Sequence, residues 1–270
     1  MSARTTVAKV LSPFNLAITR RSSLQELHRQ FSELEQEHKA LRGSYFVSLH
    51  SEDIRARLTE LLPSSCAQIM QDLFVLAQLG FKRNGYFVEF GACDGVKGSN
   101  TLLLEREYGW RGILAEPARI WHERLRENRN AAISTRCVWS RSGETVTFNE
   151  TDLPALSTIN SFSDTDHWAE ERSNGRTYSV DTISLNDLLA ESGAPREIDY
   201  ISIDTEGSEL EILRAFDFSK YHVSAVTCEH NYTPAREAIH ALLTQRGFVR
   251  KCEMLSQFDD WYVAEEELRR

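Results

Sequence analysis

The stretch NGYFVEFGACDGVKGSNTLLLEREYGWRGILAEP, residues 84–117, decides the reading of the fold. Tyr86–Phe90 reads as a buried strand, and Gly91–Gly95 as a tight glycine turn. A helix opens at Ser99-Asn100-Thr101, and a second strand, Gly112–Ala115, ends in Glu116. Short apolar runs bounded by glycine, with a helical segment between them, are the pattern of a βαβ unit in a parallel sheet. Ligands of such sheets sit at the carboxyl ends of the strands, beside the point where strand order reverses.

The charges in the turn select among ligands. A dinucleotide needs G-x-G-x-x-G, whose second glycine lets the backbone approach a pyrophosphate. Here Cys93 stands in that place, Glu89 precedes the turn and Asp94 lies within it. Two carboxylates repel a pyrophosphate. They suit S-adenosylmethionine, which carries a sulfonium, an ammonium and a ribose but no phosphate. Glu116, ending the next strand, is then the acceptor for the ribose hydroxyls.

The 270 residues suffice for one large domain, or for an ordinary domain with an extension. A formal net charge of −9 argues against nucleic acid or an anionic membrane as the main partner. No apolar run reaches the roughly 18 residues that span a bilayer, so membrane insertion is not expected. The first residues lack the apolar core and cleavage site of a signal peptide. Five cysteines, at 66, 93, 137, 228 and 252, are odd in number and lack C-x-x-C spacing. That fits a reduced cytoplasmic protein, without a disulfide framework or a zinc site.

Residues 1–64 read as an N-terminal helical extension and 65–270 as the main domain. Residues 1–21 look irregular, with Pro13 as a breaker. Ser23 and Glu26 form a capping box for a helix that Gly43 ends. Leu24, Leu27, Phe31, Leu34, His38 and Leu41 recur at three- and four-residue steps along it. That seam either packs on the chain's own domain or joins a homodimer through the N-terminal helices. A second helix spans Ser51–Leu62. A third spans Ser65–Leu79, with a Ser65–Gln68 box, and is buried on the sheet.

Beyond Glu116, helix and strand continue to alternate. Ile120–Asn128 reads as a helix, Ser134–Ser140 as a strand and Glu144–Asn149 as a half-exposed strand. Residues 151–177 form a long irregular insertion, either a wall of the acceptor pocket or a solvated surface excursion. His167, Trp168, Arg172 and Arg176 are its candidate acceptor contacts. Ser184–Asp187 caps the next helix, Ile198–Ile203 is a buried strand, and a helix follows Asp204-Thr205-Glu206-Gly207-Ser208-Glu209. Val223–Cys228 is a strand ending in Glu229-His230-Asn231, followed by a helix over Pro234–Arg246. Strands at Phe248–Met254 and Trp261–Val263, with antiparallel pairing expected there, close the chain. Ser208 and Glu209 read equally well as helix caps.

These motifs carry a resemblance. EFGACDG, CVWSRSGE, LSTINSF, TISLNDLL, DYISIDTEGSELEIL and CEHN, spread over roughly Gln71–Val263, strongly resemble the FkbM-type family of S-adenosylmethionine-dependent methyltransferases. The resemblance implies an α/β, Rossmann-like class I methyltransferase fold. Its sheet would be mostly parallel and seven-stranded, with helices on both faces. The implied activity is O-methylation of hydroxyl groups on a sugar, glycan or natural-product acceptor. Glu89, Gly91, Ala92 and Asp94 would hold the methionine and ribose end, with Asn100 and Thr101 close by. Glu116 with Pro117 would take the ribose, Trp139 and Ser140 would border the adenine, and Asp204 would complete the cofactor site.

Methyl transfer to oxygen needs alignment of the acceptor and removal of a proton. His230 could act as general base, oriented by Glu229 or Asp204. Alternatively Asp204, Glu206 and Glu229 could hold Mg²⁺, which would lower the hydroxyl's pKa. The residues leave both open. A non-catalytic cofactor-binding scaffold, or an N-methyltransferase of a small molecule, is the competing reading. The scaffold would need Glu89 and Glu116 but not Asp204 and His230.

Overall fold

The computed structural model describes residues 21–269. Residues 1–20, including Pro13, and the Ser23 side chain of the expected capping box lie outside the described residues. The chain divides into two compact units, residues 1–49 and 50–270.

Among the described residues, the first unit holds the helix α1, Arg21–Ser48. It runs through Gly43, where the sequence suggests a stop. A mid-helix glycine costs only about 1 kcal/mol relative to alanine, and Phe46 and Val47 are buried in the turn that follows. Leu27, Phe31, Leu34, Leu41 and Tyr45 stand exposed along α1. No helix among the described residues is long and apolar enough to cross a membrane.

The second unit is built on strands. In chain order they are β1 (Tyr86–Phe90), β2 (Arg111–Ala115), β3 (Ala132–Ser134), β4 (Cys137–Trp139), β5 (Thr145–Glu150) and β6 (Thr158–Ile159). There follow β7 (Arg176–Ser184), β8 (Glu197–Ile203), β9 (His222–Glu229), β10 (Phe248–Lys251) and β11 (Asp259–Ala264). Seven of them form one sheet in the order β10-β11-β9-β8-β1-β2-β3. All neighbours are parallel except at β11, which is inserted antiparallel between β9 and β10. A mostly parallel sheet with an antiparallel pairing near its end is what the sequence suggests.

Alternation along each strand sorts side chains onto two faces. On one, Val88, Ile201, Val226 and Tyr262 share a core with Ile212 and Leu213 of the helix Glu209–Ala215, and with Ile239 and Leu243 of the helix Ala235–Gln245. On the other, Glu89, Ser202, Thr227 and Trp261 form a row in register across four strands. Phe74 of the helix Gln71–Gln78 packs on Trp261 with ring centroids 4.9 Å apart. Burying each such ring contributes about 1.5–3 kcal/mol. Helices thus cover both faces.

Three segments depart from the sequence reading. The helix expected over Ser65–Leu79 forms only at Gln71–Gln78. Ser65 Oγ donates to Asp72 Oδ1 instead of capping at Gln68, and Met70 adopts φ 74°. The expected strand Ser134–Ser140 splits. Its predecessor β3 stays in the main sheet, while β4 leaves to pair with β7 in a second, four-stranded sheet ordered β4-β7-β5-β6. The insertion is therefore ordered, with β6, a short helix Ala169–Arg172 and the start of β7 inside it. The expected strand Phe248–Met254 ends at Lys251, because Cys252 turns left-handed and opens a helical turn, Glu253–Ser256.

Candidate functional site

Strand order reverses between β1 and β8. Successive strands run β1, β2, β3 in one direction and β8, β9 in the other, which opens a crevice at their carboxyl ends. Glu89 pairs in register with Ser202, and Ser202 with Thr227. Continuing two residues along each strand brings Gly91 opposite Asp204 and Asp204 opposite Glu229. Glu229 in turn pairs with Asp259 of β11. The ladder itself gathers carboxylates at one edge of the sheet.

The turn after β1 is held from several sides. Gly91 and Cys93 both have positive φ, 70° and 48°. The Gly91 amide donates to the Ala115 carbonyl at 3.0 Å, tying the turn to β2. Asp94 Oδ1 accepts from the Val96 and Lys97 amides, so this carboxylate shapes the loop. Buried Ala92 and half-buried Gly91, Cys93 and Asp94 line the crevice edge.

Glu89 is fastened to protein. Its Oε1 accepts the Asn100 amide at 2.7 Å, and its Oε2 accepts the hydroxyls of Ser99 and Thr101. Arg129, wholly buried, lies 3.5 Å from Glu89 and 2.8 Å from Glu105. This network pins the start of the helix Leu102–Tyr108 to β1. Thr101 is inside it and fully buried. Asn100 donates to Ser202 Oγ at 2.8 Å, but its buried Oδ1 meets no donor among the described residues.

Glu116 bridges the turn and β2. Oε2 accepts the Cys93 amide at 2.8 Å and Oε1 the Ala118 amide at 2.7 Å. Burial pushes its carboxyl up to about 7, partly offset by those two amides. Each oxygen has one acceptor direction left. Half-buried Pro117 follows it, half-buried Trp139 ends β4, and half-buried Ser140 comes next. Trp139 stands edge-on to Phe162 of the insertion, with centroids 5.9 Å apart.

Asp204, Glu206 and Glu229 each bring a carboxylate oxygen within 4.8 Å of the others. Burial is the main force raising all three carboxyls, Asp204 to about 7 and Glu206 and Glu229 well above their ordinary value. Glu206, at φ 60°, accepts Arg172 Nη2 at 2.5 Å and Asn231 Nδ2 at 3.2 Å. Glu229 Oε2 is buried and meets no donor among the described residues. Ser208 makes no side-chain cap bond, and the Glu209 carboxylate braces the turn before the helix by accepting the Thr205 and Gly207 amides.

His230, buried after β9, is held by its neighbours. Its Nδ1 accepts the Tyr232 amide at 3.0 Å, and Nε2 lies 3.7 Å from Asp260 Oδ1. With Nδ1 accepting, the neutral ring carries its proton on Nε2. In this arrangement the lone pair that a base would use is engaged by the Tyr232 amide. Arg172 departs from its expected role. It is wholly buried and bonds Asp166, Glu206 and the Leu156 carbonyl, so it cannot reach an acceptor. His167 and Trp168 pack on each other, and Arg176 is exposed at the start of β7.

Two elements of the site escape a reading of the sequence. Asp259, buried and pushed up by burial, joins the carboxylate edge and accepts Gln71 Nε2 at 3.1 Å. The insertion closes on the β8 turn, where Thr158 Oγ1 donates to the Glu206 carbonyl and Phe162 covers Gly207. The Asp-Asp pair opening the last strand was the available signal for Asp259. Nothing local marks Thr158.

The sequence model of the Methyltransferase FkbM domain matches residues 89–262. No curated protein matches the chain. Among solved structures, a precorrin-6y C5,15-methyltransferase from Geobacter metallireducens GS-15 is 11% identical, with a TM-score of 0.39 over 71% of this chain and 85% of that one. A human methyltransferase 10 domain containing protein is 9% identical, with a TM-score of 0.36 over 74% of this chain and 84% of that one. The N-terminal domain of human METTL16 in complex with SAH is 12% identical, with a TM-score of 0.35 over 73% and 70%. These likenesses are too distant to carry an argument.

Proposed function

Since the chain belongs to the FkbM family of S-adenosylmethionine-dependent methyltransferases, we propose that it methylates a hydroxyl group of a sugar, glycan or natural-product acceptor. The observation that carries this reading is the carboxylate group of half-buried Asp204 and buried Glu206 and Glu229 at the crevice edge. An oxygen acceptor must lose a proton as it gains a methyl, and a buried carboxylate such as Glu229 is suited to receive it.

The crevice residues suit the cofactor. Glu116 keeps two acceptor directions for ribose hydroxyls, and Asn100 Oδ1 meets no donor among the described residues. The surplus of carboxylates matches a cation without phosphate. S-adenosylmethionine supplies a methyl carbon already activated by its sulfonium. The chain's residues then have three tasks. Gly91, Ala92, Asp94, Pro117, Trp139 and Ser140 shape the cofactor's bed. Phe162 and Thr158 seal the β8 turn from water. Glu229 and Asp204 hold the acceptor's hydroxyl and take its proton.

A net charge of −9 supports a small or glycan acceptor over a nucleic acid. Five cysteines, odd in number and without C-x-x-C spacing, support a reducing, cytoplasmic setting. The test is incubation with labelled S-adenosylmethionine and a panel of hydroxyl and amine acceptors, with products read by mass spectrometry. Methyl groups on oxygen are expected. Methylation confined to nitrogen would overturn the O-specific reading, and cofactor binding without transfer to any acceptor would favour a scaffold.

A further inference from the structure

We propose that Asp204, Glu206 and Glu229 hold a hard divalent cation of the Mg²⁺ or Mn²⁺ class, which binds the acceptor's hydroxyl. The inference deepens the reading of the site as an O-methyltransferase and rests on it.

The first observation is geometric. One carboxylate oxygen from each residue lies within 4.8 Å of the other two. Oxygen ligands of a small octahedral cation, at about 2.1 Å from it, sit roughly 3–4 Å apart. Small side-chain rotations therefore close this triangle onto an ion. The three residues come from the end of β8, the turn after it and the end of β9, so the sheet ladder fixes their spacing.

The second observation is independent of the clustering. Glu229 is only 7% exposed, and its Oε2 meets no donor among the described residues. A buried carboxylate oxygen without a donor calls for a cation or a proton. Arg172 offsets part of the charge, yet it reaches only Glu206 Oε2 within the triad and is shared with Asp166. Glu206 Oε1, Asp204 and Glu229 have no basic partner among the described residues.

The donor set selects the ion. All three ligands are carboxylates, and the nearby imidazole of His230 already accepts the Tyr232 amide. Oxygen-only sites favour Mg²⁺ or Mn²⁺ over zinc or copper. Three protein ligands leave positions for water and for the acceptor's oxygen. On the ion, the hydroxyl's pKa falls. The O–H bond breaks with its electron pair left on oxygen, the proton passes to the second oxygen of the Glu229 carboxylate, and the freed pair attacks the methyl carbon. The carbon–sulfur bond breaks as the carbon–oxygen bond forms, and its electrons stay on sulfur.

The test titrates Mn²⁺ into the full chain, stripped with EDTA, and follows free Mn²⁺ by electron paramagnetic resonance. The same samples are titrated calorimetrically with S-adenosylhomocysteine. One Mn²⁺ per chain is expected. Glu229→Gln and Asp204→Asn should each weaken it by more than the roughly 10–100-fold that loss of an outer partner causes. Glu229→Gln should keep its S-adenosylhomocysteine affinity, which reports that the variant is folded. Absence of Mn²⁺ binding to the wild-type chain, or affinity unchanged in both variants, would overturn the cation. Methyl transfer at full rate in EDTA would do the same while leaving the methyltransferase reading intact. Failure of the wild-type chain to bind S-adenosylhomocysteine would sink that underlying reading instead.

Discussion

A Cβ added to Gly91 would lie 2.0 Å from the carbonyl oxygen of Asp204. The turn after β1 and the turn after β8 therefore meet backbone to backbone, at the floor of the crevice. Gly91 also sits at φ +70°, where an L side chain costs about 1–2 kcal/mol before any overlap. The obstacle is main chain and cannot rotate aside. Gly91→Ala should lower stability by about 3 kcal/mol or more, read as the urea midpoint. A midpoint equal to wild type would mean that the two turns part easily.

Glu116 ties stability to pH. Its carboxyl is raised from 4.5 to about 7 in the folded chain, mainly by burial. The folded state binds its proton more tightly than the unfolded state does. Its stabilising contribution is full below about pH 4.5 and is lost as pH rises through about 7. The shift corresponds to at most about 3 kcal/mol. Glu116→Gln, which cannot ionise, should show a shallower fall in urea midpoint between about pH 5 and 8 than wild type in EDTA. Equal slopes would remove Glu116 as the source.

Arg172 and Glu206 form a buried pair at 2.5 Å, with the arginine side chain wholly enclosed. Removing one partner of such a pair costs about 3–5 kcal/mol, because the other charge stays buried. Arg172→Met should destabilise by about that amount, and adding Glu206→Gln should recover part of the loss. Additive losses in the double-mutant cycle would show that the two side chains act independently.

His230→Asn tests the imidazole's assignment. Asparagine can present an oxygen to the Tyr232 amide where Nδ1 now accepts it. Turnover should fall by less than about tenfold, well short of the roughly 10²–10⁴-fold loss of a general base. A drop into that larger range, with cofactor affinity intact, would restore His230 as the base.

What could be read in the chain beforehand was whatever depends on local pattern. The strand Tyr86–Phe90, the cap from Ser184 Oγ to the Asp187 amide, and the polar strand ends at Glu116, Asp204 and Glu229 all follow from periodicity and position. What could not be read depends on long-range pairing. The chain leaves the main sheet at Thr135-Arg136 because β4 finds β7 about 40 residues later. Met70, Glu206, Asn231 and Tyr232 adopt positive φ without being glycine, and no residue type announces that. The Tyr232 turn is what returns an amide to His230 and engages the lone pair that a base would use. Arg172 looked like an acceptor contact because its buried partner, Glu206, lies 34 residues away.

Calorimetric titration with S-adenosylhomocysteine, set beside Glu116→Ala and a nicotinamide dinucleotide control, tests the central claim most directly. Wild type should bind S-adenosylhomocysteine and not the dinucleotide. Loss of the charged ribose acceptor, worth about 1.5–3 kcal/mol, should weaken binding by about 10–100-fold. Binding of the dinucleotide instead, or S-adenosylhomocysteine affinity untouched by Glu116→Ala, would contradict the account.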